Sequence, residues 1–188
     1  MRRRLFLALP ATVAACASPE PSYYTLASRP GVPQPGGPRL IELRRIGLAG
    51  YLDRPEIVRK DADYRLRIGS AERWGEPLGD LIARILAEDL NLRMPGTSVF
   101  TSAGSISVTA DVTIELDMQR FDADASGDVV LLAQVAASKG RERGRSALGT
   151  QTVRIQVHPT GPATVDLVAA MSLALGQLAD RIAPMVRG

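Results

Sequence analysis

Stretches of period two and of period 3.6 follow one another along the chain, and their order sets the fold class. The clearest strand pattern runs from Val108 to Met118. Val108, Ala110, Val112, Ile114, Leu116 and Met118 alternate there with Thr109, Asp111, Thr113, Glu115 and Asp117. Successive strand side chains point to opposite faces, so this stretch has one apolar face and one polar, acidic face. Val129 to Ala137 is a more continuously apolar strand. Ala147 to His158 alternates again, with Val153, Ile155 and Val157 opposite Thr152, Arg154 and Gln156. Nearer the N-terminus, Leu40, Ile41, Leu43 and Ile46 mark a first strand. Glu56 to Lys60 and Tyr64 to Ile68 flank a hairpin-like turn at Asp61-Ala62-Asp63.

Two segments carry helical spacing instead. Leu78, Leu81, Ile82, Ile85, Leu86 and Leu90 form one stripe between Pro77 and Arg93, opened by Glu76-Pro77 and stopped by Pro95-Gly96. Val165, Val168, Ala169, Ser172, Leu175, Leu178, Ala179 and Ile182 form a second stripe from about Thr164 to Met185. One-sided helices pack on sheets. Residues 39–188 are therefore expected to form a single layered α/β domain, a mixed β-sheet packed by two long amphipathic helices.

Residues 16–38 differ in character. Six prolines and three glycines fall between Pro19 and Pro38, which predicts an extended tether reaching on the order of 70 Å at ~3.3 Å per residue. Tyr23, Tyr24 and Leu26 interrupt it, and they either dock on the domain or form a short edge strand.

Residues 1–15 read as an export signal. Arg2, Arg3 and Arg4 precede an apolar run from Leu5 to Val13, and small residues follow. A run of nine residues falls far short of the ~20 that span a bilayer as a helix. Val13-Ala14-Ala15-Cys16 resembles the bacterial lipobox, in which the cysteine is lipidated and becomes the new N-terminus. Cys16 is the only cysteine, so no internal disulfide competes for it. Removing residues 1–15 also removes three arginines and no acid. The whole chain has 23 basic and 20 acidic side chains, and the mature one has 20 of each. A neutral mature domain offers no argument for nucleic acid.

Catalytic patterns are sparse. His158, the only histidine, precedes Pro159 at a strand end, where a surface role suits it better than a triad. One histidine and one cysteine exclude a His/Cys metal site. Asp122-Ala123-Asp124-Ala125-Ser126-Gly127 matches the first half of a calcium loop, but Ala133 stands where the bidentate glutamate belongs. The segment fits an acidic hairpin turn around Ser126-Gly127. Arg141, Arg143 and Arg145 lie in a glycine-rich loop diluted by Glu142, which suits a solvated loop better than a head-group patch. No catalytic residue, metal or cofactor is expected.

Two segments remain, Tyr51-Leu52-Asp53-Arg54-Pro55 and Arg73-Trp74-Gly75-Glu76-Pro77-Leu78. Trp and Arg are favoured anchors at protein interfaces, while the bulk of Trp74 also suits a plug at a sheet–helix junction. Together with Tyr23-Tyr24-Thr25-Leu26 after the cysteine, these segments resemble the PqiC family, the auxiliary lipoproteins of ABC-type and MCE-type envelope transport. The likeness spans nearly the whole mature chain, with Gly75 where the family more often has alanine. It implies a lipid-anchored protein on the periplasmic face of the outer membrane, partnered by MCE-domain or ABC transporter components. Such proteins are thought to help move lipids or other hydrophobic molecules between membranes, without catalysis. Ala17 after the cysteine favours the outer membrane by the enteric sorting rule. Ring-like partners would favour a homo-oligomer. Tyr51, Asp53, Arg54, Pro55 and Trp74 are the candidate residues that face or shape a partner interface. A stand-alone lipid carrier with an apolar cavity is the alternative.

Overall fold

A computed structural model describes residues 20–62, 64–104, 108–140, 144 and 146–187. In chain order the elements are β1 (Ser22–Tyr24), β2 (Leu40–Leu43), β3 (Gly47–Leu48), β4 (Glu56–Lys60), β5 (Leu66–Trp74), α1 (Leu78–Arg93), β6 (Ser98–Thr101), β7 (Val112–Ala123), β8 (Val129–Lys139), β9 (Ser146–Val157) and α2 (Thr164–Met185). The fold is the expected mixed sheet with two helices.

Strand β7 is the spine of the sheet. One edge pairs antiparallel with β8 from Val112↔Lys139 to Ala123↔Val129, and β8 pairs antiparallel with β9. The other edge is shared in turn by β2, β3 and β4, all parallel to it, through Ile41↔Val112, Gly47↔Asp117 and Arg59↔Ala123. Beyond them lie β6 beside β2 and β5 beside β4, and β1 runs parallel to the end of β5.

The period-two pattern explains which face is buried. Val112, Ile114, Leu116 and Met118 join Ala133, Val135, Ala137, Val153, Ile155 and Val157 in one core with both helices. Asp117, Gln134 and Thr152 stay outside, while Thr113 is buried. The β7–β8 register shifts between Met118 and Arg120. An extra residue in a bulge inverts the alternation, so Phe121 and Ala123 carry the apolar face onward.

Several elements differ from the sequence reading. Strand β7 starts at Val112, not Val108, because the Asp111 carboxylate accepts the Arg39 and Leu40 amides at 3.1 and 3.0 Å. Val108 itself is 51% exposed. Strand β5 continues to Trp74, past the expected end at Ile68. In α2, Val165 is exposed, while Leu167, Ala170, Met171 and Ala174 are buried. That helix meets both the sheet and α1, so its buried surface is wider than one stripe. In α1, Asp89 and Arg93 belong to the buried face.

The proline-rich segment is not a free tether from Ser22 onward. It crosses both helices as a strap. Leu26 is buried, the Ala27 amide donates to Ser172 Oγ at 3.1 Å, and the Arg29 amide donates to Asp89 Oδ1 at 2.6 Å. The Gln34 amide donates to the Arg93 carbonyl at 2.5 Å. Proline removes donors but leaves carbonyls: Arg93 Nη1 donates to the Arg29 carbonyl at 2.7 Å.

Candidate partner-binding surface

The loop between β3 and β4 carries Tyr51 to Pro55. The Ala49 amide donates to the Met118 carbonyl at 3.0 Å, and Leu52 and Arg54 amides close tight turns onto Ala49 and Leu52. Leu52 is 2% exposed and fastens the loop to the core. Its neighbours are thereby turned outward: Asp53 and Pro55 are exposed and Arg54 half-buried. Arg54 Nε is buried without a hydrogen-bond partner among the described residues.

Tyr51 turns inward. Its hydroxyl donates to Asp122 Oδ2, and Arg120 Nη2 donates to Asp122 Oδ1 at 2.6 Å. Lys60 Nζ stands 5.8 Å from the centre of the Tyr51 ring, within cation–π range. Burial first, and then the hydrogen bond and charge of Asp122, push the Tyr51 hydroxyl well above its ordinary range, against the opposing effect of Arg120. A phenol held protonated beside a carboxylate is a fixed donor and no general base. This cluster is a latch that ties the loop to β7.

Three sequence blocks meet at this corner. The Trp74 amide donates to the Pro55 carbonyl at 2.7 Å, and the Gly75 amide donates to the Tyr24 carbonyl at 2.8 Å. Tyr24 pairs with Trp74, and Glu56 with Arg73. The indole is 4% exposed and plugs the junction, so Trp74 shapes the surface without presenting itself. Above it the exposed residues are Tyr23, Asp53, Pro55, Gly75 and Pro77. A Cβ at Gly75 would meet the Tyr24 carbonyl at 3.5 Å, ordinary contact, so alanine fits there equally.

The other candidate features are accounted for separately. Cys16 and the Arg141, Arg143 and Arg145 loop lie outside the described residues. The calcium-like run is a hairpin turn. The Asp124 carboxylate accepts the Ser126 and Asp128 amides at 2.9 and 3.1 Å, and Gly127 adopts φ +91°. Asp122 is remote from that turn chemistry, in the Tyr51 latch. His158 is exposed, with Nδ1 2.6 Å from Asp128 Oδ1, and that hydrogen bond holds the Asp128 carboxyl below its usual range.

Sequence reasoning missed a second polar cluster. Arg93 is 1% exposed, pairs with Asp180 at 2.6 Å, and donates to the Gly176 carbonyl at 2.9 Å. It joins α1, α2 and the strap. Asp89 and Arg93 are one helical turn apart on the apolar stripe, a charged i, i+4 pair where only aliphatic residues are expected. That placement was the available signal. On the far face of the sheet, a shallow groove of about 660 Å³ is lined by Arg44, Glu115, Asp117, Gln134, Thr150 and Thr152 among others.

A family model for ABC-type transport auxiliary lipoprotein components matches residues 24–183. The chain belongs to that family. The match spans the Tyr24, Tyr51–Pro55 and Trp74 blocks, all of α1 and most of α2 in this auxiliary lipoprotein. Comparison with proteins of curated function yields no match. Its fold resembles that of an uncharacterized protein, with TM-score 0.73 and 18% identity over 88% of this chain and 98% of the other. A Xanthomonas campestris protein gives 0.72 and 16% over 89% and 96%. A hypothetical protein from Chlamydia trachomatis gives 0.51 and 9% over 80% and 96%. These similarities concern the fold. No helix of the described residues is long and apolar enough to cross a membrane.

Proposed function

We propose that this chain is a non-catalytic auxiliary subunit of an MCE-type or ABC-type system that moves lipids or other hydrophobic compounds between membranes. In this reading it is held on the periplasmic face of the outer membrane by lipid on Cys16. Its folded domain docks a transport component. The observation that carries the reading is the convergence of three separate sequence blocks on one corner, within a domain matched by the family model over residues 24–183. Asp53 and Pro55 offer the partner an exposed carboxylate and an apolar ring, with the half-buried Arg54 between them, on a loop fastened by Leu52 and Tyr51. Preorganisation of this kind lowers the cost of binding. The carrier alternative needs an apolar chamber between helices and sheet, and that space is occupied by Leu86, Leu178, Ile182 and their neighbours, all fully buried.

The test is photo-crosslinking in cells from positions 53 and 55, with co-purification from membranes. An MCE or ABC component should be captured by the wild-type chain and lost with Cys16→Ala. If neither component comes with the wild type, and Cys16→Ala cells behave identically, the adaptor reading fails.

A further inference from the structure

The β4–β5 hairpin projects from the sheet and exposes apolar side chains. Tyr64 at its tip is fully exposed, and Leu66 and Ile68 are 40% and 39% exposed. Register places Val58 opposite Ile68 and Lys60 opposite Leu66, so Leu66, Ile68 and Lys60 share the face turned away from the helices. Tyr64 adopts φ +63°, a left-handed conformation that costs a non-glycine residue backbone energy. The fold thus holds a strained aromatic residue out in solvent. The hairpin is braced on α2: Arg59 donates to Glu72 and to Thr164 Oγ1, both at 2.7 Å, and the Thr164 hydroxyl donates to Glu72.

The direction of β1 says what this prong faces. Strand β1 runs parallel to β5, with Ser22 beside Glu72 and Tyr24 beside Trp74. The chain preceding Ser22 therefore leaves toward the end of β5 that begins at Leu66. Cys16 is six residues before Ser22, and Leu66 is six residues before Glu72. Both spans are on the order of 20 Å at ~3.3 Å per residue. With residues 22–38 fastened to the domain, no longer reach is available. A lipid on Cys16 is thereby held within about 20 Å of Ser22, a radius that takes in the hairpin tip. The tip also has the composition of an interfacial contact. Lys60 shares the face of Leu66 and Ile68, and residues 60–68 of the sequence hold one aromatic, two large aliphatics, three cations and two aspartates. Tyrosine rings favour the headgroup level, and lysine and arginine favour anionic headgroups.

We propose that the β4–β5 hairpin is a second membrane contact, seated in the interfacial layer of the bilayer that holds the lipid on Cys16. The proposal rests on the lipoprotein reading. Together the lipid and the prong fix the domain's tilt, and the helix-bearing side stands away from the bilayer.

An environment-sensitive thiol probe tests this in the processed, lipidated chain, where Cys16 is blocked by its thioether. Tyr64→Cys and, as a control, Leu92→Cys at the end of α1 are labelled and reconstituted in phosphatidylethanolamine/phosphatidylglycerol vesicles. Both positions are exposed, so folding is not at stake. The probe at 64 should shift to the blue, be quenched by lipid-borne quenchers, and lose iodide quenching roughly threefold relative to position 92, as expected for a group ~5–10 Å into the headgroup boundary. Equal iodide access at both positions overturns the proposal. So does shielding at 64 without lipid quenching, which would point to a protein cover. Intact mass reports Cys16 acylation independently. An unmodified Cys16 removes the lipoprotein reading and this proposal together, whereas an acylated Cys16 with a water-exposed tip removes this proposal alone.

Discussion

Asp89 is a carboxylate on the apolar face of α1, fully buried, with Oδ2 lacking a partner among the described residues. Burial pushes it up from 3.8 to about 6, against the lowering effects of the Arg29 amide and the Arg93 charge. Between these values the folded state holds a proton that the unfolded chain has released. Stability therefore falls as pH rises through about 6, and the gain is fully present below about 4. Asp89→Asn should remove this slope, on the order of 1–3 kcal/mol between pH ~4 and ~7. Urea midpoints of both proteins at the two pH values check it, and parallel pH profiles would refute it. Subtracting the variant also cancels the groups whose carboxyls are lowered, such as Glu72 and Asp128. Tyr51→Phe is the second residue-scale prediction. It leaves buried Asp122 Oδ2 without its donor, so the unfolding free energy should fall by about 1–3 kcal/mol. No change would mean that the latch contributes nothing to the loop. Asp89 stood beside Arg93 on the apolar stripe, a signal the sequence offered, whereas the Tyr51 cluster was not legible because Tyr51 and Asp122 are distant in sequence and meet only across the edge of β7.

The strap shows how an element can be misread from composition. Prolines predicted an extended segment, and residues 25–38 are indeed irregular. Whether an extended segment is free or docked depends on partners elsewhere in the chain, here Ser172, Asp89 and Arg93. Gly31 marks the tightest passage. A Cβ there would lie 2.5 Å from Arg93 Nε, and Arg93 cannot retreat without breaking its bonds to Asp180, Gly176 and Arg29. Gly31→Ala should destabilise the protein by about 1–3 kcal/mol through overpacking. It should also speed hydrogen exchange at the Ala27, Arg29 and Gln34 amides. Unchanged protection at all three would show the strap to be loose already. Strands β3 and β6 were missed for a related reason. Two and four residues carry too little periodicity to be read, and they become strands only because β7 and β2 offer edges.

For the whole molecule, strap and short strands change where the domain stands. The sequence reading allowed a domain ranging far from its membrane on a long leash. With Ser22 paired to β5, the proposed lipid anchor at Cys16 would leave only the few residues before Ser22 as a leash. Under that proposal a partner would have to come to the membrane or span the distance itself. What the sequence by itself determined is local. Alternation and helical spacing marked β7, β8, β9, α1 and α2, because a buried face imposes its period on the residues that form it. The paired blocks around Tyr51 and Trp74 marked the family, and Val13 to Cys16 the expected anchor. Only the tertiary structure decided the rest: β1 beside β5, Trp74 under Pro55, Asp89 and Arg93 under the strap, and the exposed prong at Tyr64. Each of these is a pairing between segments far apart in the chain, where backbone donors and buried charges take whichever partner packing brings within reach.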